Sequence, residues 1–417
     1  MAQLSEDCFA FGGALLSVEA ALELIQTRLG RLVEPESAPL AAAIGRVLAR
    51  DLVAPIDLPP YANSAVDGYA LRHADLSARH DTVLPIGGRA AAGHPLGRPM
   101  QQSEAIRIFT GAAMPEGADT VMMQEDCIVE DGHVRLKPGI RKGANRRHAG
   151  EDIARGRVAL SAGRRLRAAD LGLAAALGCR DLPVFARLRV ALLSTGDEVR
   201  DPGRPLPPGA IYDANRPMLA ALLAGLGCHV SDLGIRADRE LALADTLAAA
   251  SAEHDLIVTS GGVSTGEEDH VRAAIERLGN LHFWRLAIKP GRPVALGQIA
   301  RVPLIGLPGN PAAAAVTFIV LARPLILRLA GATGPAPKVF PVRAGFAWRK
   351  KPGRREYLRV RLERGDDGLT AQKYEKDGAG ILSSIVRSDG LAILAEDLSE
   401  LAPGMPVDFL PFSEALG

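Results

Sequence analysis

Between Leu188 and Ala330, apolar runs of strand length alternate with helix-length segments, and this alternation constrains the fold more than any other feature of the chain. The run RVALLST is followed by a helical pattern at 217–226, and CHVSDLGI then resumes an extended pattern. A helix near 240–250 leads to the buried run DLIVTS, the loop GGVSTG and a further helix at 269–278. Helices of this length between apolar strands predict a parallel sheet covered on both faces. Ligands of such sheets bind beyond the carboxyl ends of the strands, so those loops are where chemistry is expected.

The rest of the chain is organised around that domain. An amphipathic helix is predicted from Ser17, with Leu22, Ile25 and Leu29 on one face, and an Ala-rich helix near 41–49. From Pro59 to about Lys137, short β-like pieces at 106–110, 119–123 and 133–137 are separated by Gly and Pro, which predicts a small β-domain. The pattern turns helical again over 145–181, notably at 168–177. After Gly331 the linker GATGPAPK leads to alternating segments such as EYLRVRLE and GLAILAE, which predict a C-terminal β-barrel or sandwich. The chain has 417 residues, and single cores rarely grow past about 250–300, so several domains are required. The expected fold class is multidomain α/β. A central doubly wound α/β domain spans 187–331, a helical/mixed domain 1–58 with 145–186, an inserted β-domain 59–144 and a C-terminal β-barrel 332–417.

Composition removes several function classes. A net charge of +1 leaves no electrostatic footprint for nucleic acid. Cys8, Cys127, Cys179 and Cys228 lie far apart with no CxxC pair, which argues against a disulfide framework or a structural zinc site and fits a reducing, cytoplasmic setting. The start MAQLSEDCFAFGG carries acids in place of a basic region, so no secretory signal is expected. The longest apolar stretch begins at Ala312 and is broken by Arg323 and Pro324, short of the roughly 20 residues a membrane span needs. No membrane partner is expected.

Four loops carry candidate chemistry. In TSGGVSTGEEDH, Gly261 and Gly262 allow close backbone approach to a ligand, Ser260 and Ser264 supply hydroxyls, and the following helix start supplies N–H groups to an anion. Glu267, Glu268 and Asp269 follow, and carboxylates beside a phosphate cradle suit a bridging divalent cation; a Gly-rich turn with acids at a helix start is the simpler alternative. STGDEV repeats the theme with Asp197 and Glu198, either of which could simply cap a helix, the better reading of this segment taken alone. In LAIKPGRPVALG, Lys289 and Arg292 surround a Pro-Gly turn next to Arg285, and such cations suit a phosphate or another oxyanion. In GLPGNPAAA, Pro308 and Pro311 flank Gly309–Asn310, with Asn310 predicted as N-cap and Pro311 as first helical residue; the exposed amides there favour an anion. Polar loops at 58–71 (with Asp67), around Thr110, and at 145–153 (with Arg147 and Asp152) read singly as turns and caps.

Taken together and in order, NSAVDGYA, FTGA, NRRHAGEDI, GDEV, SGGVSTGEEDHV, KPGRP and GLPGNP resemble the molybdopterin molybdenumtransferase family, which includes the E-domain of gephyrin; the match covers nearly the whole chain. The resemblance implies an elongated homodimer of four-domain subunits. Its third domain would be related to the molybdopterin adenylyltransferase, itself an expected partner. The implied activity is insertion of molybdate into adenylyl-molybdopterin, releasing AMP and forming molybdenum cofactor with Mg²⁺ or a similar divalent cation. By analogy, the cleft would lie between the third domain of one subunit and the β-domain of the other. Transferred position by position, the family's functional residues fall on Asp67, Thr110, Arg147, Asp152, Glu198, Asp238, Asp269, Lys289, Pro308, Pro311, Arg359 and Ser384. Two departures stand out: Arg285 replaces a frequent Lys, and Gly378-Ala379-Gly380 lacks the hydroxyl of a Gly-Ser-Gly-like turn.

The chemistry implied is coherent. Molybdate and a pyrophosphate are both anions, so cations and backbone amides must offset their repulsion. Lys289, Arg285, Arg292 and the GGVSTG amides are assigned to anion binding; Glu198 and Asp269 are candidates for holding the divalent cation or for orienting water, and Asp67 is a candidate for proton transfer. Two alternatives are a nucleotidyltransferase making the adenylylated pterin from ATP and a non-catalytic scaffold for receptor peptides.

Overall fold

The computed structural model describes residues 15–236, 239–262, 270–334, 336–365 and 368–416. The chain forms two compact units, a larger one of Met1–Arg50, Ala162–Arg167 and Leu182–Gly417, and a smaller one of Asp51–Ser161 and Ala168–Asp181.

In the larger unit, the alternating strands and helices build a six-stranded sheet. Its order is His229–Arg236, Arg189–Thr195, Leu256–Ser260, Val302–Leu307, Pro293–Ile299, Gly279–Arg285. The first four strands are parallel. The fifth, Pro293–Ile299, is antiparallel to both its neighbours, so Gly279–Arg285 again runs with the first four, and the expectation of a parallel sheet is corrected at this one strand. The reason is local: only Ala300 and Arg301 separate the paired residues Ile299 and Val302, and a two-residue turn can join only antiparallel strands. Ala300 takes the left-handed backbone (φ 52°) that such a turn demands.

Strand alternation sorts the core onto both faces of this sheet. Val190 and Leu192 pack with the helix Asn215–Gly225 and the helical run Pro311–Leu329. Ala191 and Leu193 pack with the helices Glu240–Glu253 and His270–Leu278. The run Pro311–Leu329 is 19 residues long and, by length and composition, apolar enough to cross a membrane. This corrects the reading that Arg323 and Pro324 interrupt it. A π-helical turn at Phe318–Ala322 precedes Pro324 and accommodates a ring that a regular α-turn would reject. The run is 78% buried inside the chain, the signature of a core helix.

The N-terminal helix Val18–Arg28 is capped by Ser17, whose hydroxyl accepts from the Ala20 amide at 3.1 Å. Its buried stripe is Val18, Ala21, Ile25 and Leu29, with Leu22 half-buried beside it. The expected helix at 41–49 does not form. Only Leu40–Ala42 makes a 3₁₀ turn, and Gly45 then turns left-handed (φ 72°). Leu48 is fully buried, with its amide donated to the Arg164 carbonyl at 2.9 Å. Long-range pairing of a buried backbone thus overrides alanine's helix propensity. The segment 145–167 is likewise short strands and turns, and helix begins only at Ala168.

Residues 340–411 close a five-stranded barrel in the order Phe340–Ala344, Gly368–Lys373, Arg355–Gly365, Gly390–Leu394, Pro406–Pro411. Val342, Leu358, Val360, Ala371, Leu394 and Phe409 form its core. A short strand from the α/β domain, Ile288–Lys289, pairs in parallel with the barrel residues Arg355 and Glu356.

The smaller unit is a six-stranded sheet with the helix Ala168–Ala176. Its strands include Gly68–Leu71, Ala105–Ile108, Thr120–Met123 and His133–Leu136, with Leu71, Ile106, Ile108, Val121 and Leu136 in the core.

Candidate functional site

The carboxyl ends of the parallel strands bring several sequence-selected residues together in the larger unit. Arg189–Thr195 ends at Gly196 (φ 137°), above which lies the carboxylate of the exposed Glu198. Leu256–Ser260 ends at Gly261 and Gly262, both left-handed at φ 84° and 62°. A Cβ on Gly261 would sit 2.6 Å from the Thr195 carbonyl oxygen, and one on Gly262 would collide with Val271, so only glycine fits either place. Ser264 and Asp269 lie outside the described residues, as does Asp238.

Asn215, the first residue of its helix and 6% exposed, ties these strand ends together. Its amide nitrogen donates to Gly309 O at 2.7 Å, Ser260 Oγ at 2.8 Å and Pro308 O at 3.4 Å. The loops carrying Ser260 and Pro308 are thereby fastened to one side chain. Sequence reasoning passed over it; the signal was an amide residue opening a helix just after the strand-end acid Asp213, in YDANRP. Around it, Ser194 Oγ, Thr195 Oγ1, Thr259 Oγ1 and Asn215 Oδ1 are buried and find no hydrogen-bond partner among the described residues. Unpaired buried polar atoms are costly and uncommon, and they concentrate where a protein meets ligand or water.

At the Pro311 helix start the expected free amides are not free. Ala312 N and Ala313 N donate to the Ala379 carbonyl at 2.9 and 3.2 Å. The barrel loop 378–384 occupies this helix start, so the reading of an open anion site there is corrected. Asn310 is the N-cap and Pro311 opens the helix as expected, but the Asn310 side chain makes no capping bond. The same loop is held by Arg359, 6% exposed, whose guanidinium donates to Ser384 Oγ at 3.0 Å and Gly378 O at 3.1 Å. Burial pulls the Arg359 pKa down and Asp377 opposes this; an arginine stays charged at neutral pH regardless. Pro311, Arg359 and Ser384 therefore meet around one turn, and Asn215 links that turn's neighbours Pro308 and Gly309 to Ser260.

Lys289 projects from the strand shared with the barrel, its side chain half-exposed. Its ammonium lies 3.3 and 3.4 Å from the two oxygens of buried Glu356 and 5.6 Å from the Trp348 ring centre. Arg285 and Arg292 are exposed and flank the base of the same turn, where the Leu286 amide donates to the Arg292 carbonyl at 3.1 Å.

The smaller unit holds Asp67, Thr110, Arg147 and Asp152. Asp67 Oδ1 accepts from both the amide and the hydroxyl of Thr110, each at 2.8 Å. The Thr110 amide, then its hydroxyl, lowers the Asp67 pKa, with Arg107 adding to the effect. Asp67 is thus a carboxylate at neutral pH, a better hydrogen-bond acceptor than proton donor. Arg147 is exposed and pairs across strands with Asn63, whose neighbour Ser64 bonds the backbone of Gly111 and Ala112 beside Thr110. Asp152 is exposed on the next turn, its amide bonded to Leu58 O at 3.0 Å. Among the described residues no three His, Cys, Asp or Glu side chains cluster as a metal site.

These features define a multidomain α/β protein with glycine-lined strand-end loops and a closed barrel that supplies a buried arginine beside them. Family models match in chain order: the MoeA N-terminal region (domain I and II) over residues 16–178, a probable molybdopterin binding domain over 191–328, and the MoeA C-terminal region (domain IV) over 341–412. The chain is 36% identical to a molybdopterin molybdenumtransferase of Haemophilus influenzae over 97% of its own length and 100% of the relative's. It is 35% identical to molybdopterin molybdenumtransferase 2 of Mycobacterium tuberculosis over 90% and 94% of the two chains. A molybdopterin biosynthesis moeA protein from Pyrococcus horikoshii has a similar structure, with TM-score 0.81, 28% identity and coverage of 95% and 100%. The chain belongs to the molybdopterin molybdenumtransferase family.

Proposed function

We propose that this protein inserts molybdate into adenylyl-molybdopterin, releasing AMP and forming molybdenum cofactor. The observation that carries the proposal is the convergence of Ser260, Pro308, Pro311, Arg359 and Ser384 through Asn215 and the loop 378–384, with a glycine-lined strand end on one side. Such a place can receive a phosphate close to backbone, and buried Arg359 supplies charge that water screens poorly.

The substrates are an anionic pyrophosphate and a dianionic oxyanion, and mutual repulsion is the first obstacle to their meeting. Lys289, Arg285, Arg292 and Arg359 offset it, while Gly261 and Gly262 keep the strand end open for approach. Asp67, held ionised by Thr110, acts as an acceptor that orients a proton-bearing group of the pterin or of water. Glu198 and Asp269 would hold Mg²⁺ or a similar divalent cation. Glu198 fits that use: its carboxylate is exposed and has no partner among the described residues, and carboxylate oxygen is the donor Mg²⁺ takes. The cation, when bound, supplies charge stabilisation at phosphate oxygens.

The α/β domain is proposed to share its ancestry with a molybdopterin adenylyltransferase, which would also be the protein that delivers the substrate, and the working form is proposed to be a homodimer. Purified protein given adenylyl-molybdopterin and molybdate should release AMP in proportion to oxyanion added. AMP release with no dependence on molybdate would refute the reading. Sedimentation equilibrium at twice the chain mass of 43.9 kDa tests the dimer.

A further inference from the structure

We propose that Glu356 is a positioning residue that fixes the Lys289 ammonium for oxyanion binding, an inference that rests on the role given to Lys289 above. Glu356 is the second residue of the barrel strand Arg355–Gly365 and is 4% exposed, yet its neighbours on the same face of the strand are the apolar Leu358 and Val360. A buried carboxylate in such a place is costly unless its oxygens are occupied. Trp348 N–H donates to Oε2 at 2.9 Å, and Lys289 Nζ lies 3.3 Å from Oε1 and 3.4 Å from Oε2. The backbone enforces the pairing: Lys289 and Glu356 are register partners of two parallel strands, and the Arg355 amide donates to Ala287 O at 2.7 Å.

The arrangement leaves Lys289 partly engaged. An ammonium has three donors, and the contacts to Glu356 are long and come from the buried side. The side chain is 51% exposed, so donors remain for a ligand. The Trp348 ring is a second wall, with Lys289 at 5.6 Å and Lys373 at 5.1 Å from its centre; Lys373 in turn is bonded to Asp377 at 2.8 Å. A lysine otherwise loses much rotamer freedom when it grips a ligand, and prior tethering reduces that loss. Glu356 can act on an oxyanion in two opposed ways. Its charge repels the anion, while its tether places the cation. The inference is that placement prevails, and this fixes the sign of the test.

AMP release is measured against molybdate concentration for the wild type, Glu356→Gln, Lys289→Ala and the double variant, with molybdate binding followed separately by calorimetry. Glu356→Gln should raise the molybdate KM and Kd about tenfold, the scale of one charge-assisted contact, with kcat little changed. The double variant should bind no worse than Lys289→Ala alone, because the two residues act as one unit. Glu356→Asp should recover part of the loss. Trp348→Phe, which keeps an aromatic ring but removes the N–H, gives a smaller rise in the same direction and serves if Glu356→Gln does not fold. Tighter molybdate binding by Glu356→Gln, or an additive double variant, overturns the inference while leaving the role of Lys289 intact. If Lys289→Ala itself binds molybdate normally, the role of Lys289 falls and this inference with it.

Discussion

Replacing Asn215 tests whether one buried amide fastens the strand-end loops. In Asn215→Ala, the donor to Gly309 O (2.7 Å) and Ser260 Oγ (2.8 Å) is lost. Each such bond contributes about 0.5–1.5 kcal/mol, so the variant should lose about 1–3 kcal/mol. Asn215→Asp has nearly the same shape but turns a donor into an oxygen facing two carbonyls and a hydroxyl. Ser260 can rotate its proton toward the new oxygen, but the carbonyls of Gly309 and Pro308 have none to offer. The aspartate variant should therefore be the less stable of the two at about pH 8, by more than about 1 kcal/mol. Protonation restores a donor, so the carboxyl introduced by this substitution has a folded-state pKa above its unfolded value. A raised folded pKa means that the folded state binds more protons, and stability rises as pH is lowered toward the unfolded pKa. The gap between the two variants should then narrow from about pH 8 to about pH 5. Urea unfolding at both pH values, with AMP release on the same samples, reads the result. An aspartate variant as stable as the alanine variant at about pH 8, or a gap that does not close in acid, refutes the assignment of the amide as a donor to Gly309.

Further outcomes follow from the same geometry. Gly261→Ala should lose activity and stability together, since the new Cβ meets a backbone oxygen at 2.6 Å and the left-handed φ adds about 1 kcal/mol or more of strain; thermal melts and AMP release check it. In hydrogen exchange, the Ala312 and Ala313 amides should be protected although they open a helix, and Arg359→Ala should release both by loosening the loop that supplies Ala379 O. Thr110→Val should raise the Asp67 pKa toward its ordinary value, visible by carboxyl NMR titration. The depressed pKa contributes stability above the unfolded pKa that is lost as pH falls through the folded one, so this acid-side loss should shrink in the variant. Glu198→Gln should lower AMP release more than pterin binding and recover in part as Mg²⁺ is raised, whereas mere surface acidity would leave turnover normal.

Periodicity and local sterics were enough to read part of this molecule from its amino acids. Strand and helix alternation placed the sheet with Ser260, Gly261 and Glu198 at its strand ends, because a covered strand must be apolar along its length and its turn must be small and polar. Pro311 announced a helix start for the same local reason. Whatever depends on a partner distant in the chain was settled only by long-range packing. The stretch 41–49 reads as helix from its alanines, yet Leu48 is held extended by Arg164 and Val184, more than a hundred residues away. The amides after Pro311 read as open, and a barrel loop beginning at Gly378 fills them. Glu356 sits in an alternating strand where nothing marks it apart from its neighbours, and Lys289 and Trp348 reach it only because the barrel closes beside the α/β sheet. Burial removes water from such groups, and which atoms then replace water is a property of the assembled chain alone.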